Sequence, residues 1–246
     1  DQEAMLAVLG YKNRDELIDT VVPKSIRRKE TLDLGQFKKP RSEQAALQFL
    51  QAVASKNQIN RSWIGQGYYN TFTPTVIQRN ILESPAWYTA YTPYQPEISQ
   101  GRLEAIINFQ QVVTDLTGMD IANASMLDEA SAAAESMTLA KRTFKGDENL
   151  AFGVDKNLHP QIKAVIETRA KPLKIKLEYF DSTNPDRKLL SKIYGFLVAQ
   201  FSSSGEYIDH SELMDAIGDS GVVAVAQIDL LAATLYKSAG DSGFDV

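Results

Sequence analysis

Tyr91, Tyr94 and Glu97 follow one another at three-residue steps, with Pro93 and Pro96 between them. Phenol hydroxyls donate hydrogen bonds and a carboxylate accepts them. The two prolines bias Thr92 and Gln95 away from helix and keep the backbone there extended and stiff. Ser99, Gln100 and Gly101 come next, and the pattern then becomes helical. The segment is therefore a rigid arm that presents hydroxyls and a carboxylate at the mouth of a helix, which is more than a connector needs.

Other residues offer less. Gly65 and Gly67 form a Gly-x-Gly, but Asn70 stands where a dinucleotide fingerprint needs its third glycine, so a tight turn or close backbone approach is the expectation. The two histidines, His159 and His210, lie far apart in sequence, and each sits at an expected helix start. Capping or surface positions suit them better than catalysis, and they do not make a His-rich metal site. The chain has no cysteine, which excludes disulfides and thiolate metal centres. Asp229 is placed at the carboxyl end of an expected strand, where α/β sheets contact ligands; read by itself, it is a strand-to-loop residue that caps the next helix.

The elements that must position these residues follow from patterning. Of the 246 residues, 43% are apolar, enough for a sizeable core, and the net charge of -5 with no basic stripe argues against nucleic acid. No run is long enough to cross a membrane, and the start Asp1-Gln2-Glu3 does not read as a signal peptide. The first part reads as helices: 14–21 capped by Asn13, a helix capped by Ser42 with Ala45, Ala46, Phe49, Leu50 and Val53 on one stripe, and one opened by Thr73 and Pro74 that carries Val76, Ile77 and Ile81. These stripes are expected to be core.

Ser99 is expected to cap a long helix carrying Leu103, Ile106, Ile107, Gln110 and Val113, with Gly118 as its left-handed stop. A second helix over 128–142 is rich in alanine, which suits close packing. From residue 150 onward, short apolar strands (150–154, 175–180, 194–201, 222–228) alternate with helices, the signature of a mainly parallel sheet covered on both faces. Residues 243–246 read as the first residues of one more strand, and the chain is expected to be a fragment of a longer polypeptide.

Several stretches together resemble the glycine decarboxylase family, the P-protein of the glycine cleavage system. They are Ile64-Gly65-Gln66-Gly67-Tyr68-Tyr69-Asn70, the arm from Tyr91 to Gly101, Ile121-Ala122-Asn123-Ala124-Ser125-Met126-Leu127-Asp128-Glu129, Ala133-Ala134-Glu135 and Asp229-Leu230-Leu231-Ala232. The resemblance implies an aminotransferase-type (PLP fold type I) α/β fold, with residues 1–85 a helical N-terminal extension and 86–246 an incomplete large domain. It also implies glycine decarboxylation with transfer of the aminomethyl group to the lipoyl arm of the H-protein.

In that family two related halves share the work, and this chain is similar to the half that does not bind pyridoxal 5'-phosphate. The Schiff-base lysine belongs to the other half, and Lys237 is too close in sequence to Asp229 to take that part. No catalytic residue is expected in this chain. Tyr91, Tyr94, Glu97, Ser99 and Gln100 are the expected contacts across the interface between halves, with Ser99 serving first as a cap. Asp229 would be a vestige of the aspartate that pairs with the pyridine nitrogen. Asp128 and Glu129 suit a helix start and repel an anion, so cofactor phosphate is not expected there.

The implied partners are the C-terminal half, the lipoyl H-protein and glycine, in a homodimer or heterotetramer; the implied compartment is the bacterial cytoplasm or the mitochondrial matrix. Neither nucleic acid nor membrane is an expected partner. Two further readings stay open: a non-catalytic interaction module using the Tyr/Pro arm as a docking element, and a portion of a separately encoded first subunit.

Overall fold

The computed structural model describes the chain except residues 67–69, 89–91 and 148. It divides into two compact units, Asp1–Arg61 and Ser62–Val246.

The first unit holds α1 (Gln2–Val8), α2 (Arg14–Val21) and α3 (Glu43–Ala54). Asn13 caps α2 by accepting from the Glu16 amide, and Ser42 caps α3 by accepting from the Ala45 amide. The core expectation for α3 fails, because none of its residues is buried. Its Phe49 meets the edge of Phe37, with the Arg41 guanidinium over both rings. A helical stripe shows that one face is apolar but does not supply the surface that covers it.

In the second unit, α4 (Thr75–Ile77) runs into a π-helical turn at Gln78–Leu82, and α5 (Pro85–Tyr88) follows. Pro74, not Thr73, takes the cap position of α4, and Val76, Ile77 and Ile81 are exposed rather than core. The long helix α6 (Gln100–Thr117) stops at Gly118, with φ +69 as the pattern requires. A Cβ on Gly118 would also collide with Ser238 Oγ at 2.7 Å. Close by, the Gly240 amide donates to the Thr117 carbonyl at 2.8 Å, so the C-terminal end of α6 is pinned to the loop near residue 240.

The helix α7 (Glu129–Thr143) opens the α/β body. It is followed by β1 (Ala151–Asp155), α8 (Pro160–Ala170), β2 (Leu177–Phe180), α9 (Arg187–Leu190), β3 (Ile193–Ala199), α10 (Ser211–Ile217) and β4 (Val223–Gln227). All four strands are parallel, in the order β2-β1-β3-β4. β1 and β3 are buried along their whole length, as central strands of a sheet covered on both faces must be. One cluster packs Phe152, Val154, Leu197 and Val225 against α7 and α8; the other packs Phe196, Val198 and Ala224 against α10 and the segment around Ala239 and Phe244.

Register shifts between β1 and β3, where Ala151 pairs with Ile193 but Phe152 pairs with Gly195. The extra residue, Tyr194, lies with the α7 cluster, whereas its neighbour Ile193 lies with the other. Gly195 lets α7 approach, since a Cβ there would stand 3.1 Å from that of Ala140 and 3.0 Å from the Val223 carbonyl oxygen. The alanine stripe of α7 thus packs on the sheet as expected. Asp245 and Val246 exchange backbone hydrogen bonds with Ala224 and Ala226 of β4, so the chain leaves along that strand's outer edge.

Candidate functional site

The arm holds much of its expected geometry. Gln95 is extended (φ -111, ψ 91), and Pro96–Ile98 forms one 3-10 turn that leads into Ser99 and α6. Tyr94 is 76% exposed, and Glu97 and Gln100 are exposed beside it. Ser99 occupies the cap position and is buried, yet its hydroxyl makes no cap hydrogen bond, which corrects the expectation that its side chain caps α6. Its amide instead donates to the Pro96 carbonyl at 3.1 Å and closes the turn. Tyr91 lies outside the described residues.

Next to the arm is an open groove lined by Trp87, Pro93, Ile106, Phe109 and Ala124, with Arg102 and Ser125 at its polar border. Arg102 holds one wall in place by donating to the Ala86 carbonyl at 2.8 Å. Gln110 ties α6 to the Asn123-Ala124-Ser125 loop by donating to the Ala122 carbonyl at 2.5 Å. The arm thus meets an apolar surface through Pro93, with the exposed Tyr94 and Glu97 one and four residues further along the chain.

The start of α7 tests whether the body accommodates a phosphate. Asp128 accepts from the Ser131 amide at 2.7 Å and from the Ser131 hydroxyl at 3.1 Å. Glu129 accepts from the side-chain amide of Gln227 at the end of β4. The first turn is therefore capped by one carboxylate and flanked by another, and both repel an anion. These residues do not fit the phosphate of pyridoxal 5'-phosphate. Asp229, half-buried, accepts from the amides of Leu231 and Ala232 ahead of the 3-10 turn Ala232–Thr234, whose cap position is held by Leu231.

Sequence reasoning missed two side chains at the carboxyl ends of the strands. Asp155, fully buried, accepts from the Ser182 hydroxyl at 2.7 Å, the Ala199 amide at 3.3 Å and the Asn157 amide at 3.0 Å. It fastens the ends of β1 and β3 to the loop after β2. His210 is not the capping or surface residue expected: it is buried and makes no side-chain cap bond, and its Nε2 donates to the Ala199 carbonyl at 2.8 Å. Burial holds its pKa below the ordinary histidine value, against the opposing pull of that hydrogen bond and of Asp155 and Asp209. An acid at a strand's carboxyl end was the available signal for Asp155. His210 gave none, because nothing in sequence places it against Ala199.

His159 holds the cap position of α8 without a side-chain bond. Among the described residues, no group of three His, Asp or Glu side chains could hold a metal, and no helix is long and apolar enough to cross a membrane.

Comparison with known proteins supplies the family. The chain matches the model of the glycine cleavage system P-protein over residues 1–246. It is 51% identical over 246 residues to glycine dehydrogenase (decarboxylating) of Cupriavidus metallidurans, covering 100% of this chain and 25% of that protein. It is 52% identical to the protein of the same name from Paraburkholderia phytofirmans, with the same coverage. The chain thus spans about a quarter of the length of these curated relatives.

Among solved structures, a crystal structure of glycine decarboxylase (P-protein) of the glycine cleavage system in an inhibitor-bound form superposes with a TM-score of 0.84 at 29% identity, covering 99% of this chain and 55% of that one. The likeness bears out the aminotransferase-type fold, a mainly parallel sheet flanked by helices. The match along the full length of the chain and the shared fold place it: the chain belongs to the glycine cleavage system P-protein family.

Proposed function

We propose that the chain is part of the half of a glycine decarboxylase that does not hold the cofactor, and that its arm completes an active centre housed in the other half. The observation that carries this reading is the exposed pair Tyr94 and Glu97 on the arm whose Pro93 lines the apolar groove of Trp87, Ile106 and Phe109. Pyridoxal 5'-phosphate then belongs to the other half, a reading supported by the carboxylates at the start of α7. The division of labour follows the sequence: residues 1–85 as an extension, 86–246 as the part that faces the partner half.

In this reading the Tyr94 hydroxyl donates to, and the Glu97 carboxylate accepts from, glycine or the incoming lipoyl arm of the H-protein. Gln100 stands beside them, Ser99 sets the backbone between the arm and α6, and Tyr91 is assigned to the same contact from its place in the sequence alone. The groove excludes water once the other half covers it, which strengthens each polar contact. The bacterial relatives are about four times as long as this chain, which favours both halves on one polypeptide and a cytoplasmic enzyme, working as a homodimer rather than a heterotetramer.

The test is substitution in the intact enzyme. Tyr94→Phe and Glu97→Gln should each lower glycine–bicarbonate exchange by about tenfold or more, the scale of one lost charge-assisted hydrogen bond at a reacting centre. Exchange at the parent rate in both variants would remove the arm from the active centre.

A further inference from the structure

Arg102 stands in the first turn of α6, where the helix dipole disfavours a cation. The needs of α6 therefore do not explain it. Its guanidinium reaches away from the helix: Nη2 donates to the Ala86 carbonyl at 2.8 Å, 16 residues back along the chain. Ala86 lies in α5, a helix of four residues, and the last four carbonyls of any helix lack a partner within it. Arg102 gives one of them a charged donor. It is half-buried and lines the groove together with Trp87, the residue after Ala86.

The arm runs between these two points, and its prolines sit in tight turns. The Tyr94 amide donates to the Thr92 carbonyl at 2.8 Å, a γ-turn centred on Pro93. Pro96–Ile98 forms the 3-10 turn that carries Glu97. Downstream, the arm is continuous with α6 through Ser99. Upstream, Pro93 lies on the groove that Trp87 and Arg102 also line. The Arg102–Ala86 bond thus crosses the base of the loop that presents Tyr94 and Glu97. Closing a loop costs entropy, and a charged hydrogen bond across its base holds it in one geometry.

We infer that Arg102 is a positioning residue for the arm, setting where Tyr94 and Glu97 stand relative to α6. It acts through the arm and not on the reacting atoms. The inference rests on the proposed function, because it is the arm's contact with the active centre that makes its setting matter; a small misplacement of a contacting group is enough to slow a reaction.

The test is glycine–bicarbonate exchange in the intact enzyme. Arg102→Gln should lower it by about tenfold, the scale of one displaced polar contact at a reacting centre. Arg102→Lys keeps a cationic donor for a single carbonyl and should stay within about threefold of the parent. The deciding readout is a cycle with Glu97→Gln: once the arm has lost that contact, adding Arg102→Gln should cost less than about a further twofold. A purely structural role would multiply the two losses. Arg102→Met, which keeps the apolar stem along the groove, serves the same cycle if Arg102→Gln does not fold. Parent-rate exchange in Arg102→Gln beside an impaired Tyr94→Phe or Glu97→Gln would overturn this inference and leave the arm in the active centre. Parent rates in all three would remove both. Multiplied losses, or a lysine variant no faster than the glutamine one, would also overturn it.

Discussion

The α/β body and the region around α6 have equally apolar sequences, yet they bury them very differently. In the body, Phe152, Phe196 and Val198 are wholly buried. Along α6 and its approaches, Trp87, Ile98, Ile107, Phe109, Val112 and Ile121 stand 44–86% exposed. Both regions carry the periodicity of buried elements. The body finds its second surface in neighbouring strands and helices of the same chain; α6 is pinned at its C-terminal end by Thr117 and Gly240 but, among the described residues, lacks such a cover over much of its length. A hydrophobic pattern states a demand for burial, and only a packing partner meets it.

That contrast can be broken by experiment. Phe196→Ala removes a fully buried ring that meets Phe180 edge-on and should cost about 3–5 kcal/mol in urea unfolding of the chain. A smaller loss is expected for Gly195→Val, which pushes against Ala140 and the Val223 carbonyl and should cost about 1–3 kcal/mol by the same measurement. Ile107→Ser is the counterpart on α6: with the side chain 64% exposed, the unfolding free energy should change by less than about 0.5 kcal/mol. A loss from Ile107→Ser as large as that from Phe196→Ala would erase the distinction between the two regions. A near-zero effect in this chain, together with a clear loss in the intact enzyme, would sharpen it and identify the α6 face as a contact surface.

The body was legible because its signals are local and reinforce one another. Pro160 opens α8, Gly118 closes α6, Asp128 caps α7, and the apolar runs lie within a residue or two of β1, β3 and β4. The arm was legible for the same reason, since the residue before a proline is restricted whatever surrounds it; Gln95 is extended accordingly. What escaped sequence reasoning is contact between distant residues. The buried Asp155 depends on partners at Ser182 and Ala199, and His210 depends on Ala199 as well.

By itself, then, the sequence determined the elements, their parallel arrangement and the stiffness of the tyrosine–glutamate arm, because backbone sterics and side-chain period act over a few residues. Tertiary structure alone decided which apolar stripes are covered, that Tyr194 bulges out of register with β1, and that His210 is buried against Ala199. Those outcomes turn on which distant surfaces come within a few ångströms of each other, and no local preference of the chain encodes that distance.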